Sequence, residues 1–405
     1  MPVLPIPTLT TVGQTMRTFS VEQRRARLAR RHHLLPGPLP DAGPANVPGI
    51  TESLVALHAT DPATPYLSLW ARLPGFTPAD LDAALYRDRT VVKHLAMRRT
   101  LWVVSPADLP VVQSAASDRV AANEARRLAA DVERAGVAPD GHAWLRTAGD
   151  AVVDHLHAAG PCSARELREA LAELAGTYDP APGKTWGGQS HLAPRVLTVL
   201  AARGHIVRGP NDGGWTASRP RWVTAAHWVT PGEPVHADDA GAALVRRWLA
   251  AFGPATLTDV KWWFGATLTW ARKALSDIGA EEVLLDGSTG YVLPGDDEDH
   301  DVPSWCALLP GLDVTTMGWF DRDWYVGDHR AQVFDRNGNA GPTVWVDGRI
   351  VGAWRQDGAG RVELVLLEKV GRTVARALAD RAEELTGWLA GVRISPRFPS
   401  PACRR

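Results

Sequence analysis

The chain has 405 residues, which at roughly 100–200 residues per domain corresponds to two to four domains. Apolar residues make up 45% and charged residues 22% of the sequence, a balance that excludes wholesale disorder. No apolar run approaches the roughly 20 residues that span a bilayer, and the first residues lack the pattern of a secretory signal. The three cysteines, Cys162, Cys306 and Cys403, are too few and too dispersed for a disulfide framework, so we expect a cytoplasmic protein.

Charge is distributed unevenly, although the formal net charge is only −1. Residues 1–135 carry 16 Lys or Arg against 12 Asp or Glu, whereas residues 236–301 carry 5 against 12. The densest basic run lies between Arg24 and His33. Such a run is typical of a solvated helix face or of a helix that contacts nucleic-acid phosphates, and the sequence leaves both interpretations open.

The first part of the chain is predicted to contain several helices followed by a strand. Ser20 is placed to cap a helix over VEQRRARLARRHHL, and a second helix is predicted over residues 50–59. A third helix follows Pro62, and a fourth begins after Thr77 with proline at its first position. The β-branched and aromatic run TLWVV then predicts a strand. Helices that precede strands in this way are the layout of a winged helix.

The same order recurs twice. Residues 144–159 are predicted to be helical. They are followed by a helix whose capping box is formed by Ser163 and Glu166, and then by the helix LAPRVLTVLAARG. A hairpin with a glycine-rich tip comes next. Three further helices, AGAALVRRWLAAFG, TDVKWWFG and TLTWARKALSDIG, precede the hairpin VLLDGSTGYVLP. Three such units at irregular spacing predict tandem winged helices rather than a solenoid.

The C-terminal part is rich in Trp, Val and Gly and contains two hairpin turns, Asp347-Gly348 and Asp357-Gly358. A last helix is predicted over VGRTVARALADRAEELTGWLA. We therefore predict an α+β protein, with three tandem winged-helix units and a C-terminal β-rich domain that carries a terminal helix. The predicted boundaries are 1–18 for a flexible tail, 19–135, 136–232 and 233–300 for the three units, and 301–405 for the C-terminal domain.

Candidates for chemistry are few, because the sequence has no glycine-rich phosphate loop, HExxH motif or nucleophile elbow. The densest polar group is LHATDP, residues 57–62. In one interpretation Asp61 caps the helix that Pro62 begins, and His58 only ends the preceding helix. In the other, the break between two helices presents His58 and Thr60 together at a surface, whereas within one helix they would diverge by roughly 200°.

Several segments together resemble the AlkZ/YcaQ-type winged-helix DNA glycosylase superfamily, in its broad actinobacterial branch. The segments are LVALHATDPATPYLSLWARLPGF, MRRTLWVV, GKTWGGQSHLAPRVLTVLAARGHIVRG, LPGLDVTTMGWFDRDWYVGDHR and DRNGNAGPTVWVDGRIVG. The resemblance implies three winged helices that cradle duplex DNA in a concave channel. It also implies hydrolysis of the N-glycosidic bond of alkylated purines, including bulky adducts and interstrand crosslinks, and in some members self-resistance of antibiotic producers.

The sequence departs from the family in its catalytic motif, Gln-x-Gln or Gln-x-Asp, which falls on His58-Ala59-Thr60. In the family the glutamine amides hold the attacking water and support the sugar cation. We predict that His58 binds or activates this water, that Thr60 orients it, and that Asp61 is either a base or a structural cap. N7 alkylation makes a purine cationic, so its departure needs no protonation, and modest catalytic help suffices.

The resemblance also indicates which residues contact DNA, because winged helices meet phosphates at helix starts and wings. The candidates are Arg98, Arg99, Lys184, Trp186, Ser190, His191, Arg195, Arg208, Arg219 and Arg221. For each basic residue a solvated or salt-bridged role is an equal alternative, and Trp186 is expected to be packed rather than intercalated. No metal site is predicted, because the 13 histidines are scattered.

The sequence therefore predicts a monomeric, cofactor-free DNA glycosylase that acts on bulky N7-alkylated purines in double-stranded DNA, in repair or in genotoxin self-resistance. One alternative is a non-catalytic winged-helix binder or regulator that has lost the glutamines. Another is a protein-interaction scaffold, which the acidic residues 236–301 favour. The enzyme would leave abasic sites in N7-alkylated DNA, the regulator would bind duplex without doing so, and the scaffold would do neither.

Overall fold

The computed structural model describes residues 16–37, 46–181, 183–185, 187–230, 232–298 and 301–404. Its first group of elements comprises β1 (Thr18–Phe19), α1 (Val21–Arg31), α2 (Val47–Ser53), β2 (Leu57–His58), α3 (Thr64–Trp70), α4 (Pro78–Asp82), β3 (Val92–Ala96), β4 (Thr100–Val104), α5 (Leu109–Val112) and α6 (Asp118–Arg134). Strands β2, β4 and β3 form an antiparallel sheet with β4 in the centre. Ser20 caps α1 as predicted, since its hydroxyl accepts a hydrogen bond from the backbone N–H of Gln23 at 3.2 Å.

The helix predicted over residues 50–59 is wrong beyond Ser53, where α2 ends. Val55 has a φ of 68°, which turns the backbone out of the helical region. Leu57 and His58 then pair with β4, so strand pairing with a distant segment overrides the local helical pattern.

The second group comprises α7 (Gly141–Ala159), α8 (Ala164–Ala170), β5 (Thr177–Tyr178), β6 (Ser190–His191), α9 (Ala193–Ala202), β7 (Ile206–Asn211) and β8 (Pro220–Thr224). The predicted capping box of Ser163 and Glu166 at the start of α8 is confirmed. This group has a hydrophobic core of its own, to which α6 contributes Ala121, Leu128 and Val132. Helix α6, predicted with the first unit, therefore packs with the second.

The third group comprises α10 (Ala237–Phe252), β9 (Ala255–Thr256), α11 (Leu257–Phe264), α12 (Leu268–Asp277), β10 (Glu281–Leu285) and β11 (Ser288–Val292). Strand β1 pairs in parallel with β10, Thr18 opposite Leu284 and Phe19 opposite Leu285. Thr18, the last residue of the predicted flexible tail 1–18, is thus part of a strand, and Phe19 after it packs among buried side chains of this sheet. Residues 1–15 lie outside the described part of the chain.

The C-terminal group comprises β12 (Cys306–Leu309), α13 (Asp323–Val326), α14 (Arg330–Val333), β13 (Thr343–Val346), β14 (Arg349–Gln356), β15 (Val362–Leu366) and α15 (Arg372–Leu389). The strands form one antiparallel sheet in the order β12-β13-β14-β15. The predicted hairpin turn is confirmed at Asp347 and Gly348, which join β13 to β14 with positive φ values of 46° and 78°. Mixed helices and antiparallel sheets confirm the α+β class.

A single hydrophobic core joins the first, third and C-terminal groups. A buried ion pair lies within it, between Arg72, just after α3, and Asp313, at 2.8 Å. Both side chains are fully enclosed, and Ser68 and Thr315 complete the hydrogen bonding. This network fixes α3, and with it the segment that precedes α3, against the C-terminal group.

Candidate active site

His58 lies on β2, where its backbone pairs with Trp102 of the central strand β4. Its ring contacts the Trp102 ring edge to face, with centroids 4.8 Å apart. Residues two apart in an extended chain point to the same side, which puts Thr60 beside His58. The backbone N–H of Thr60 donates to Nδ1 of His58 at 3.4 Å. The structure therefore brings these two residues together, but through a strand rather than through a kink between helices.

The two side chains differ in their access to solvent. The sequence led us to expect both at a surface, and Thr60 is partly exposed. His58, however, is only 3% exposed, because β2 is drawn into the sheet beside Trp102. A ring this enclosed reaches a large substrate only after the groups that cover it have moved.

The surroundings of His58 fix its protonation state. The pKa of His58 is lowered to about 3, mainly by burial and also by the positive charge of Arg98, while the charge of Asp313 partly opposes both. The imidazole is therefore neutral at physiological pH. Because Nδ1 accepts the Thr60 N–H, the ring proton is assigned to Nε2. In this state His58 can donate a hydrogen bond to an oxygen atom but does not carry a positive charge.

Thr60 and Asp61 have different roles in the local hydrogen bonding. The Thr60 hydroxyl accepts from the backbone N–H of Leu101 at 3.1 Å and retains its own hydrogen to orient a water. Asp61 is 7% exposed, and its two carboxylate oxygens accept from the backbone N–H groups of Ala63 at 3.1 Å and Arg397 at 2.8 Å. A carboxylate engaged at both oxygens is poorly placed to act as a base, so the geometry favours a structural role for Asp61. The predicted cap itself is wrong, because α3 begins at Thr64 rather than at Pro62 and its N-cap residue is Ala63.

Arg98 supplies positive charge near this pair. It lies at the tip of the β3–β4 hairpin with a φ of 54°, and its guanidinium stacks over Trp262 at 4.0 Å from the ring centroid. Its Nε is buried and lacks a hydrogen-bond partner among the described residues. Burial, together with the charge of Arg322, lowers the pKa of Arg98 to about 10. No carboxylate in the described part of the chain forms a salt bridge with it, which suits a group that meets an external anion.

Three other residues that were predicted to contact DNA form intramolecular ion pairs instead. The pairs are Arg99 with Glu124 at 2.8 Å, Arg195 with Asp131, and Arg221 with Glu166 at 3.1 Å. For these residues the contacts favour the salt-bridged alternative.

The remaining predicted contacts lie in the second group, and none of those that the structure describes contacts His58, although Arg208 is close enough to Arg397 for their charges to interact. Ser190 and His191 form β6, and His191 and Lys184 are exposed. Arg219 is exposed, with its Nε donating to the Asp212 carbonyl at 3.0 Å. Arg208 lies over the Trp222 ring at 5.3 Å. Trp186 lies outside the described residues.

Sequence reasoning missed Arg397. The chain after α15 folds back over the motif, where Arg397 holds Asp61 through its backbone N–H and donates from Nη1 to the Thr60 carbonyl at 3.4 Å. The basic and proline-rich ending ISPRFPSPACRR is visible in the sequence. No local pattern links it to a residue 337 positions earlier.

The described residues contain no candidate metal site and no candidate membrane-spanning helix. Within those ranges, no three His, Cys, Asp or Glu side chains are grouped so that they could hold a metal ion. None of the helices there is both long and apolar enough to cross a bilayer.

Replacement of Asp61 by alanine is expected to loosen the C-terminal segment, because it removes the carboxylate that accepts the Arg397 N–H, an effect of about 1–3 kcal/mol for a buried partner left unpaired. Amide hydrogen exchange of residues 393–404 measures this directly, and these amides should exchange faster. Asp80→Ala is the matched control, since Asp80 accepts the Thr77 N–H in the capping box of α4 and forms no hydrogen bond with the described residues of that segment. Equal exchange in both variants would contradict the assigned role.

The chain matches a known protein family. The family model described as "DNA glycosylase AlkZ-like" matches residues 51–388. An interstrand DNA cross-link repair glycosylase of Streptomyces sahachiroi is 34% identical over 170 residues, which are 39% of this chain. The matched segment spans 45% of that relative.

The fold is also similar to a solved structure. The DNA glycosylase AlkZ of Streptomyces sahachiroi superposes with a TM-score of 0.71 at 21% identity, over 94% of this chain and 99% of that one. At this identity the likeness shows the fold, while the family match covers the segment from α2 to α15 that holds His58 and Thr60. The chain therefore belongs to the AlkZ-like DNA glycosylase family.

Proposed function

We propose that this protein is a monofunctional DNA glycosylase that hydrolyses the N-glycosidic bond of bulky N7-alkylated purines in double-stranded DNA. The proposed setting is DNA repair or self-resistance to a genotoxin, in the cytoplasm, by a monomer without a cofactor. Family membership supports the reaction, and the name of the cross-link repair relative supports bulky lesions. The observation that carries the proposal is the contact of His58 with Thr60 at the position of the family motif.

We also propose that the first three groups of elements are winged helices, with boundaries near 19–135, 136–232 and 233–300, and that they line a concave channel for DNA. In support, each group contains an antiparallel hairpin that follows helices, β3–β4, β7–β8 and β10–β11. The C-terminal sheet and α15 form the β-rich domain of residues 301–405 in this proposal.

The proposed hydrolysis requires little catalytic assistance from the site. An N7-alkylated purine leaves as a neutral base, so the site needs to place water and to tolerate a developing sugar cation. A neutral His58 adds no repulsion to that cation. Its Nε2–H can donate to one lone pair of a water while the Thr60 hydroxyl oxygen accepts one of that water's hydrogens, so the second lone pair is free to attack the sugar carbon and the released proton passes to solvent. Asp61 keeps the segment in place through its hydrogen bonds with Ala63 and Arg397. A bulky adduct that is not flipped out fully avoids an unstacking cost of a few kcal/mol.

A panel of duplexes tests the substrate class. Each duplex carries one lesion, either a cationic N7-alkylguanine with a small or a bulky group, or a neutral lesion such as hypoxanthine. We expect base release from the N7-alkylated duplexes only, because a neutral purine would need a general acid that the site lacks. Equal release of hypoxanthine would contradict the proposed mechanism.

A second candidate function is non-catalytic binding of duplex DNA. It is favoured by the enclosure of His58 and by the lack of both motif glutamines. The same panel separates the two, since a binder would retain every duplex and leave no alkali-sensitive site in any of them.

A further inference from the structure

The segment after α15, which lies beyond the family match, has no assigned role. It is anchored at several points: the N–H of Ile394 donates to Gln356 at 2.8 Å, the N–H of Arg397 donates to Asp61, and Ser400 is buried. These anchors hold the exposed guanidinium of Arg397 beside Thr60. The segment is therefore a built part of the candidate active site.

A cavity of about 540 Å³ opens beside this segment. Three exposed arginines line it, Arg336, Arg397 and Arg404. The carboxylate on its wall, Asp335, is occupied by the N–H groups of Asn337 at 2.8 Å and Asn339 at 2.9 Å. In the described part of the chain none of the three guanidinium groups has a carboxylate within salt-bridge distance.

The side chains of Arg208 and Lys93 add further positive charge near Arg397. Arg208 lacks a carboxylate partner in the ranges described, and its pKa falls to about 10 through burial and the charge of Arg397. Lys93 is 5% exposed and donates to the Tyr86 hydroxyl at 2.8 Å, and its pKa falls to about 8 through burial and the charge of Arg208. Arg208 is thus repelled by Arg397 and Lys93 by Arg208, with Asp82 partly offsetting the charge at Lys93, and a bound anion would relieve this repulsion.

We propose that Arg397, with Arg336 and Arg404, binds backbone phosphates of the DNA strand beside the His58–Thr60 site, so that the C-terminal segment positions the lesion. Guanidinium groups suit this role because they form paired hydrogen bonds with phosphate oxygens. The location beside the lesion rests on the proposed glycosylase function. The phosphate binding itself does not require base release.

The salt dependence of duplex binding tests this inference. The full chain is titrated with a fluorescent duplex that carries a bulky N7-alkylguanine, at several salt concentrations. Each phosphate contact contributes about 0.9 to the slope of log K against log salt. We expect Arg397→Gln to reduce the slope by about 1 and the triple Gln variant of Arg336, Arg397 and Arg404 by about 3.

Two further variants make the test specific. Arg397→Lys should keep the wild-type slope, because it keeps the charge. Arg393→Gln is the matched control, since Arg393 lies in the same exposed segment and donates to the Asp357 carbonyl at 2.6 Å. All side-chain variants at residue 397 retain the backbone N–H that holds Asp61, so the fold of the segment is preserved.

The inference is overturned if Arg397→Gln has the wild-type slope, or if Arg393→Gln lowers the slope equally, which would indicate a net-charge effect. Base release by the wild type is recorded on the same duplex. Failure of release with a reduced Arg397→Gln slope would refute the glycosylase proposal alone, whereas release with unchanged slopes would refute the phosphate site alone.

Discussion

The His58→Ala variant should release N7-alkylated base at least about 100-fold more slowly than the wild type, the usual loss when a positioned proton donor or acceptor is removed. The reason is that Nε2–H of His58 is the donor assigned to hold water beside Thr60. Single-turnover rates with enzyme in excess measure the effect, because they report the chemical step rather than product release.

His94→Ala is the control for packing. His94 lies on β3, pairs with Trp102 from the other side of β4, and is also 3% exposed. Its Nε2 contacts the Ser117 hydroxyl at 2.9 Å and not Thr60. Both alanine variants lose a buried ring beside the same tryptophan, so equal losses of rate would attribute the effect to stability and contradict the role of His58.

His58→Gln offers a rescue. The resemblance to the family puts a glutamine at this position, and an amide can also hold a water. We expect His58→Gln, and more so His58→Gln combined with Thr60→Gln, to release base faster than His58→Ala. Rates no higher than that of His58→Ala would show that the site does not work as its family position indicates.

The second large effect is a loss of stability in mild acid. Burial is the main cause that lowers the pKa of His32 and of His58 to about 3 and that of His94 to about 4. In the unfolded chain their pKa values return to about 6.5, so below this pH the unfolded state binds protons that the folded state does not bind. The stability is therefore complete above pH 6.5 and is lost progressively as the pH falls toward 4.

At pH 5 each of these three histidines should lower the free energy of unfolding by about 2 kcal/mol. Their sum is comparable to the whole free energy of unfolding of a typical domain. Denaturant unfolding at pH 7.5 and pH 5 measures the difference. His94→Gln should recover about 2 kcal/mol of that difference, whereas His191→Gln, at an exposed position, should recover none. A free energy of unfolding that does not change between the two pH values would show that the buried rings titrate normally.

Sequence patterns predicted the structure correctly where it depends only on residues that are close together in the chain. Ser20 and Ser163 mark helix starts because a cap depends on residues three positions away. The Asp347-Gly348 turn is predictable for the same reason.

Long-range pairing set the limits of prediction at the site. Leu57 and His58 look helical in isolation, but pairing with Val103 and Trp102 makes them a strand and encloses the imidazole. The hydrogen bond from Arg397 that engages Asp61 joins residues 336 positions apart. Neither partner can be inferred from its own neighbours, so the pairing of His58 with Thr60 was predictable while the enclosure of His58 was not.

The most direct measurement is mass spectrometry of what leaves a duplex that carries one bulky N7-alkylguanine, after incubation with an excess of the wild-type protein. We expect free alkylated guanine in solution and, in the same strand, an abasic site that alkali cleaves. Tight binding of that duplex with the lesion still attached would contradict it.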